Sequence, residues 1–292
     1  MVTKATTGAA LPAQGIEVSV IVPARNEEAS LGACLQSLVA QEGISREIIV
    51  VDDGSSDATR AIAEAVPEVR VLSARPLPPG WSGKCNACQT GADAARGEWL
   101  LFTDADTVHK PGSLARAVAE ARGQNVALLS YSPEQEVRGL AERALMPLVF
   151  AELARVYAPD KVSDPACSEA AANGQYLLVA SVAYYAVGGH AAVAGGLLED
   201  VALARAVKSS GRRLRFRYGA DAVRTRMYRG FGPMREGWTK NLALLFPGAG
   251  RLAVGRGIEF LASAGAFTTG IMAVALGAYR LAAAAAIVAA PT

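Results

Sequence analysis

The stretch WLLFTDADT, Trp99 to Thr107, ends an apolar run on two aspartates, Asp104 and Asp106, one residue apart. Two carboxylates this close repel each other unless a cation sits between them, so the pair points to a divalent metal. Three other polar clusters offer complementary chemistry: PARNEE (Pro23 to Glu28), DDGSSD (Asp52 to Asp57) and WSGK (Trp81 to Lys84). Each alone is ordinary turn and cap chemistry. Brought to one edge, they would present carboxylates to ribose hydroxyls and a base, a lysine to phosphate, and a metal-binding pair. That inventory suits a nucleotide diphosphate and its cation.

The elements between these clusters would bring them together. EVSVIV (Glu17 to Val22) reads as a strand closed by Pro23, and Leu31, Leu35 and Leu38 follow at helical spacing. EIIVVDDGSSDATRAIAEA repeats the plan as strand, acidic turn and capped helix. VRVLSA, WLLF and NVALLSYS read as further strands, separated by helices that begin near Gly83 and Pro111. Such alternation implies an α/β fold with a mostly parallel, doubly wound sheet and helices on both faces. Ligands of such sheets bind at the carboxyl edge, where the clusters fall.

The later half is less regular. GLAERALMPLVFAELARVY (Gly139 to Tyr157) reads as an apolar helix interrupted by Pro147, belonging to the core or to a membrane surface. LEDVALARAVKSSG is an amphipathic helix stopped by Gly211. Phe260 to Tyr279 is twenty residues without a charge, enough to cross a bilayer, and Arg251 and Arg256 before it favour a cytoplasmic start. The ten apolar residues after Arg280 are too few for a second crossing. The expected domains are a loose tail at 1–15, a catalytic domain at 16–250 and a transmembrane segment at 251–292.

Composition sets bounds on this reading. Of the 292 residues, 51% are hydrophobic and 19% charged, with a formal net charge of +2. Ten basic residues against Asp221 and Glu236 lie between Lys208 and Lys240, a block that is either a solvated face or a surface for phosphate or anionic lipid. Cys85 and Cys88 have C-x-x-C spacing but lack a second pair or a nearby histidine, so they read as incidental helix residues. The polar opening MVTKATTGAALPAQG does not resemble an export signal, which leaves the catalytic part in the cytoplasm.

The motifs VSVIVPARNEE, VDDGSSD, TDAD and LLEDVALA, in this order, resemble those of the family-2 glycosyltransferases with their GT-A fold. LPPGWSGKCNACQTGA, GGLLEDVALARAVK and MYRGFGPMREGWTKNL are similar to membrane-associated members acting on carotenoids, hopanoids or ceramide. The resemblance implies an inverting, metal-dependent enzyme on the cytoplasmic membrane face. It would move a sugar from a nucleotide-sugar, UDP-glucose by resemblance, to a lipid acceptor, with no role for nucleic acid. Pro23, Ala24, Arg25 and Glu27 would line the nucleotide pocket, Asp53 would contact the uridine, and Lys84 would lie near the diphosphate. Asp104 and Asp106 would form the D-x-D element, with Asp106 the more direct ligand of Mg²⁺ or Mn²⁺. Asp200 would be the general base. Glu199, Trp238 and His190 fall on the acceptor side, where His190 has a structural alternative. One departure from the resemblance concerns processivity. Processive members and ceramide glucosyltransferases carry Q/R-x-x-R-W, whereas Met234 to Trp238 reads MREGW, so polymer synthesis is not expected.

Three rivals remain open in the sequence. A haloacid-dehalogenase-like phosphatase would use Asp104 as nucleophile and Asp106 as acid. A sugar nucleotidyltransferase would share the fold but usually opens on a Gly-rich basic loop. A membrane-tethered nucleotide-sugar binder would keep the fold without turnover.

Overall fold

The computed structural model describes residues 15–275, apart from 197, 229 and 246–248. Ten strands and ten α-helices are assigned among these residues. The strands are β1 (Val18–Ala24), β2 (Arg46–Asp52), β3 (Val69–Ser73), β4 (Trp99–Phe102), β5 (Thr107–His109), β6 (Leu128–Ser132), β7 (Glu134–Gln135), β8 (Leu177–Ala180), β9 (Leu214–Tyr218) and β10 (Val223–Thr225). The helices are α1 (Leu31–Val39), α2 (Thr59–Glu64), α3 (Gly83–Ala94), α4 (Ser113–Gly123), α5 (Leu140–Val156), α6 (Pro159–Ser163), α7 (Ser181–Ala186), α8 (Glu199–Ser209), α9 (Phe231–Leu245) and α10 (Ala249–Ala275). The chain divides into two compact units, Met1–Met234 and Arg235–Thr292.

Seven strands form the main sheet in the order β3-β2-β1-β4-β8-β6-β9. All its pairings are parallel except those of β8, which runs antiparallel to both β4 and β6. The expected mostly parallel sheet is thus present, with one reversed strand. Alternate residues of each central strand enter opposite layers, as the pleat requires. Val18, Val20 and Val22 of β1 join Leu31, Leu35, Leu38 and Leu114 on one face. Ile21 of β1 joins Cys88, Ala92, Leu203 and Val207 on the other. Burial on both faces explains why these strands read as unbroken apolar runs.

From β1 the sheet grows outward through β2 and β3, then resumes on the opposite side of β1 with β4. The carboxyl ends of β1 and β4 therefore flank a topological switch point, the usual crevice for a ligand. Close approach at the other end of these strands requires Gly97. A Cβ there would lie 2.5 Å from the backbone nitrogen of Ser19 and 2.8 Å from the carbonyl oxygen of Trp99, a collision only backbone movement could relieve.

One sequence expectation is corrected and two others are placed in the fold. Pro147 does not interrupt its helix, because α5 runs through it from Leu140 to Val156. The proline is exposed, so water can satisfy the carbonyl that its missing N–H leaves free. Three of the ten basic residues of the block are tied to partners within the fold. Arg217 pairs with Glu120 and Asp221 and lies 4.0 Å over the Tyr131 ring. Arg224 pairs with Glu136, and Lys208 donates to the carbonyls of Val162 and Glu169. Finally, among the described residues no helix is long and apolar enough to cross a membrane. Arg251, Arg256 and Glu259 charge the first half of α10. The uncharged run continues in the sequence past Ala275 to Tyr279, so α10 holds sixteen of the twenty residues of the expected span. The rest of the expected span, 276–279, lies outside the described residues, as does nearly all of the expected tail.

Candidate active site

The turn after β4 is fixed from within. The Asp104 carbonyl accepts hydrogen bonds from the backbone nitrogen and the hydroxyl of Thr107, at 3.2 and 2.7 Å, and from the Cys34 thiol at 3.8 Å. Burial, then hydrogen bonding and nearby carboxylates, leave that thiol with a pKa of about 12, so it packs as a small apolar group. With the backbone held, the two aspartates face different surroundings. Asp104 Oδ1 lies 2.8 Å from Lys84 Nζ. Asp106 Oδ1 is buried with no hydrogen-bond partner. Burial first, then the charges of Asp104 and Glu27, raise the Asp106 carboxyl to about 6.

Lys84 is the second residue of α3, whose start is capped by Ser82 Oγ accepting from Cys85 N at 3.1 Å. Its ammonium also lies 3.3 Å from Glu199 Oε1. Burial works against its charge, but Asp104 and Glu199 outweigh that and hold the group protonated well above the usual lysine range. Glu199 and Asp200 open α8, where acids are favoured by the helix dipole. Asp200 accepts from Gly174 N and Val201 N, each at 2.8 Å. Burial and the neighbouring Glu199 nevertheless push its carboxyl up to about 6. A cavity of about 10 Å³, room for about one water, is lined by Lys84, Asp104, Gly174, His190, Glu199 and Asp200, among others.

His190 is buried at this cavity, and its neighbours fix its tautomer. Gln89 Nε2 donates to Asp93, so Gln89 Oε1 must be the acceptor for the Tyr184 hydroxyl at 3.1 Å. Having given its proton to Gln89, Tyr184 accepts at 2.9 Å from His190 Nδ1, which therefore carries the hydrogen. Burial, then the Lys84 charge, lowers the imidazole to about 3, so it stays neutral. His109, the other histidine, is buried against Thr103 and also lowered to about 3 by burial.

The remaining expected residues sit around the crevice in differing roles. Pro23 lines the same cavity. The Ala24 methyl belongs to the core, and only its carbonyl reaches the next loop, accepting from Asp53 N at 2.9 Å. Arg25 is exposed, with Nη1 3.5 Å from Asp53 Oδ2. Asp53 in turn lies against the start of α3, where a Cβ on Gly83 would meet its Oδ2 at 2.3 Å. The Glu27 carboxylate accepts from Ser30 Oγ at 2.6 Å and acts on Asp106 through its charge. Trp238 is buried on α9 in the second unit and is not one of the residues the first unit brings together. Cys85 and Cys88 are buried free thiols on α3, as their incidental reading requires.

Sequence reasoning missed Gly174, whose N–H holds Asp200, and the Thr225–Tyr228 stretch. Thr225 Oγ1 donates to the Asp106 carbonyl at 3.3 Å. Burial and then the Asp106 charge raise the Tyr228 hydroxyl, which places it near that carboxylate. The dipeptide Asn173-Gly174 was available as a turn signal; the Thr225 contact had no local signature.

No group of three or more His, Cys, Asp or Glu side chains among the described residues is arranged to hold a metal. The orphaned Asp106 oxygen instead fits a cation held by one protein carboxylate and completed by phosphate oxygens and water, which is how Mg²⁺ usually sits on nucleotides.

Residues 19–174 match glycosyl transferase family 2. Among curated relatives, the 4,4'-diaponeurosporenoate glycosyltransferase of Staphylococcus aureus strain MRSA252 is 30% identical over 232 residues, covering 77% of this chain and 60% of the relative. The chain thus spans about 60% of the length of the curated relatives it matches. Among solved structures, a mannosyltransferase from Pyrobaculum calidifontis, in complex with GDP-Man and Mn²⁺, superposes with a TM-score of 0.53 at 23% identity over 72% of this chain and 56% of that one. Residues 1–349 of S. aureus TarS give 0.53 at 18% identity over 72% and 60%. These likenesses establish the α/β GT-A architecture of the sheet. The family match covers more than half of the chain and includes the strands that end at the crevice, and on that ground the chain belongs to glycosyl transferase family 2.

Proposed function

We propose that this protein transfers a hexose, with inversion and with a divalent cation, from a nucleotide-sugar to a hydroxyl or carboxyl of a membrane lipid. UDP-glucose is the favoured donor. The observation that carries the proposal is the grouping of Lys84, Asp104, Glu199 and Asp200 at the switch point, beside an Asp106 oxygen without a partner. The diaponeurosporenoate named in the relatives supports a lipid acceptor, and the GDP-Man and Mn²⁺ of the P. calidifontis structure support donor and cation. The catalytic unit would work on the cytoplasmic membrane face. The phosphatase reading does not fit the family.

Asp106 would hold Mg²⁺ or Mn²⁺, with Asp104 beside it, and the cation would neutralise the departing diphosphate. Lys84 supplies a fixed positive charge in the same crevice. Asp53 would contact the uridine and Arg25 would line the nucleotide pocket. Asp200 is the base: its two oxygens are oriented by the N–H groups of Gly174 and Val201. It takes the proton of an acceptor hydroxyl as that oxygen attacks the anomeric carbon from the face opposite the diphosphate, which inverts the centre. Glu199 and His190 border the acceptor's approach. The test is a screen of nucleotide-sugars against mixed membrane lipids with mass analysis of the products. A lipid heavier by one hexose supports the reading. Nucleotide-sugar turnover without any lipid product would overturn the acceptor assignment.

The raised Asp200 carboxyl sets the expected pH profile. It is protonated, and unable to accept a proton, below about 6 and ionised above. With Mn²⁺ saturating, kcat/KM for a hydroxyl acceptor should rise about tenfold per pH unit up to that value and then level off. A profile flat from pH 5 to 8 would remove Asp200 from the base role.

A further inference from the structure

Helix α5 is turned inside out. Its buried positions are Glu142 and Met146, one turn apart. Its solvent face, at spacing i, i+4, i+7, i+8 and i+11, is Leu140, Ala144, Pro147, Leu148 and Ala151, all exposed and all apolar, and it ends on the exposed Arg155. Leu140 is 87% exposed and Leu148 65%. A helix in water is expected to show the reverse pattern.

The buried acid has a specific task. Glu142 accepts from the backbone N–H groups of Arg138 at 2.8 Å and Gly139 at 3.3 Å, and from Gly230 N at 3.2 Å. The first two hold the start of α5. The third ties the helix to the end of the Thr225–Gly230 segment, which carries Thr225 and Tyr228 beside Asp106. Directly after Gly230 comes Phe231, a large apolar side chain that is 55% exposed. The apolar face is therefore joined by hydrogen bonds to the wall of the active site.

The charges along this segment are sorted by side. Arg138, Arg143 and Arg155 are exposed; Arg138 and Arg155 each lie 3.4 Å from a half-buried acid, Glu136 and Glu152, and Glu142 is buried. The acids of these pairs sit on the protein side, so solvent meets apolar side chains with guanidinium groups among them, the pattern of a helix lying in a headgroup layer with anionic lipid.

We infer that the exposed face of α5, with Phe231, docks on an anionic lipid surface and sets the site at the level of the headgroups. This rests on the reading that the acceptor is a lipid, and it assigns the entry point. An acceptor whose polar end stands at the interface then reaches Asp200 without leaving its layer, since extraction would lose roughly 0.8 kcal/mol per CH₂. Glu142 is a positioning residue here, keeping the docked helix in register with the segment beside Asp106.

The full chain is tested with vesicles of phosphatidylcholine and phosphatidylglycerol whose acyl chains are brominated, a quencher of tryptophan. Leu148→Trp alters an exposed position, so the fold should tolerate it. Its emission should be quenched well beyond that of the wild-type tryptophans, whereas Leu77→Trp, also on an exposed leucine, should add no quenching. Arg143→Glu and Arg155→Glu should each weaken vesicle binding about fivefold at low salt. Leu148→Trp quenched no more than Leu77→Trp, or no sedimentation with the vesicles at all, would overturn the assignment. Quenching is read without donor or acceptor. A failed lipid-transfer assay with quenching intact therefore sinks the proposed acceptor and leaves the docking face, and the converse outcome does the opposite.

Discussion

Asp106→Ala is expected to lower transfer by about 10³-fold and to remove the Mn²⁺ dependence of nucleotide-sugar binding. Of the two aspartates in the turn, Asp104 already has a counter-charge in Lys84, 2.8 Å away, so it has less need of a cation. Asp106 has an oxygen with no partner, in a place where Glu27 and Asp104 add negative charge. A stability measurement separates lost chemistry from lost folding. The Asp106 carboxyl stands at about 6 in the folded protein against 3.8 as its ordinary value. The native state therefore binds the proton more tightly than the unfolded chain. Stability is gained as pH falls from 6 towards 4, and above 6 the folded protein carries an unfavourable charge. Asp106→Asn should accordingly raise Tm at pH 8, with no gain at pH 4, while abolishing transfer. Full turnover in either variant, or in EDTA, would overturn the cation assignment.

Asp200→Asn should leave donor affinity in place and reduce turnover by about 10²- to 10⁴-fold. The amide keeps the shape of the carboxylate but cannot accept a proton. It also cannot accept equally from Gly174 N and Val201 N, so its nitrogen will face one of those donors and a small local shift is expected. The size of the loss carries information about the acceptor. A hydroxyl must be deprotonated as it attacks, so it should show the full effect. A lipid carboxylate is already ionised at neutral pH and should be transferred with a much smaller penalty. Isothermal titration with UDP-glucose and Mn²⁺, beside turnover on both kinds of acceptor, makes the distinction. Collapse of donor affinity would move Asp200 into the donor site.

The parts of this molecule that were legible in its sequence share a physical cause. β1, β2 and β4 are buried on both faces, so each reads as a continuous apolar run, and the turn that follows each is marked by polar residues. Parallel connection then carries Pro23, Asp53, Lys84, Asp104 and Asp106 to one edge. The small sheet β5-β10-β7 has strands of three, three and two residues, too short for any periodicity to show. Its contribution at Asp106, through Thr225, joins residues 119 apart and has no local trace. The contact of Gly174 with Asp200 is hidden in the same way. Charge density misled as well: the arginines of β9 and β10 answer Glu120, Asp221 and Glu136, partners that a count along the chain cannot assign.

The reversed strand β8 has a consequence for synthesis on the ribosome. β4 and β6 are not paired with each other; each is paired with β8, which lies between them. The sheet can therefore grow from β3 to β4 as the chain emerges, but must then wait for Leu177–Ala180 before β6 and β9 can join it. At 5–20 residues per second that interval lasts roughly 4–16 s. Throughout it, Trp99–Phe102 stands as an unpaired apolar edge, the kind of strand that invites chaperones or aggregation. Nascent chains arrested between Ser132 and Tyr176 should accordingly be cut by protease beyond Phe102, while chains released after Met234 should resist. Equal resistance in both would show that the sheet closes by another order.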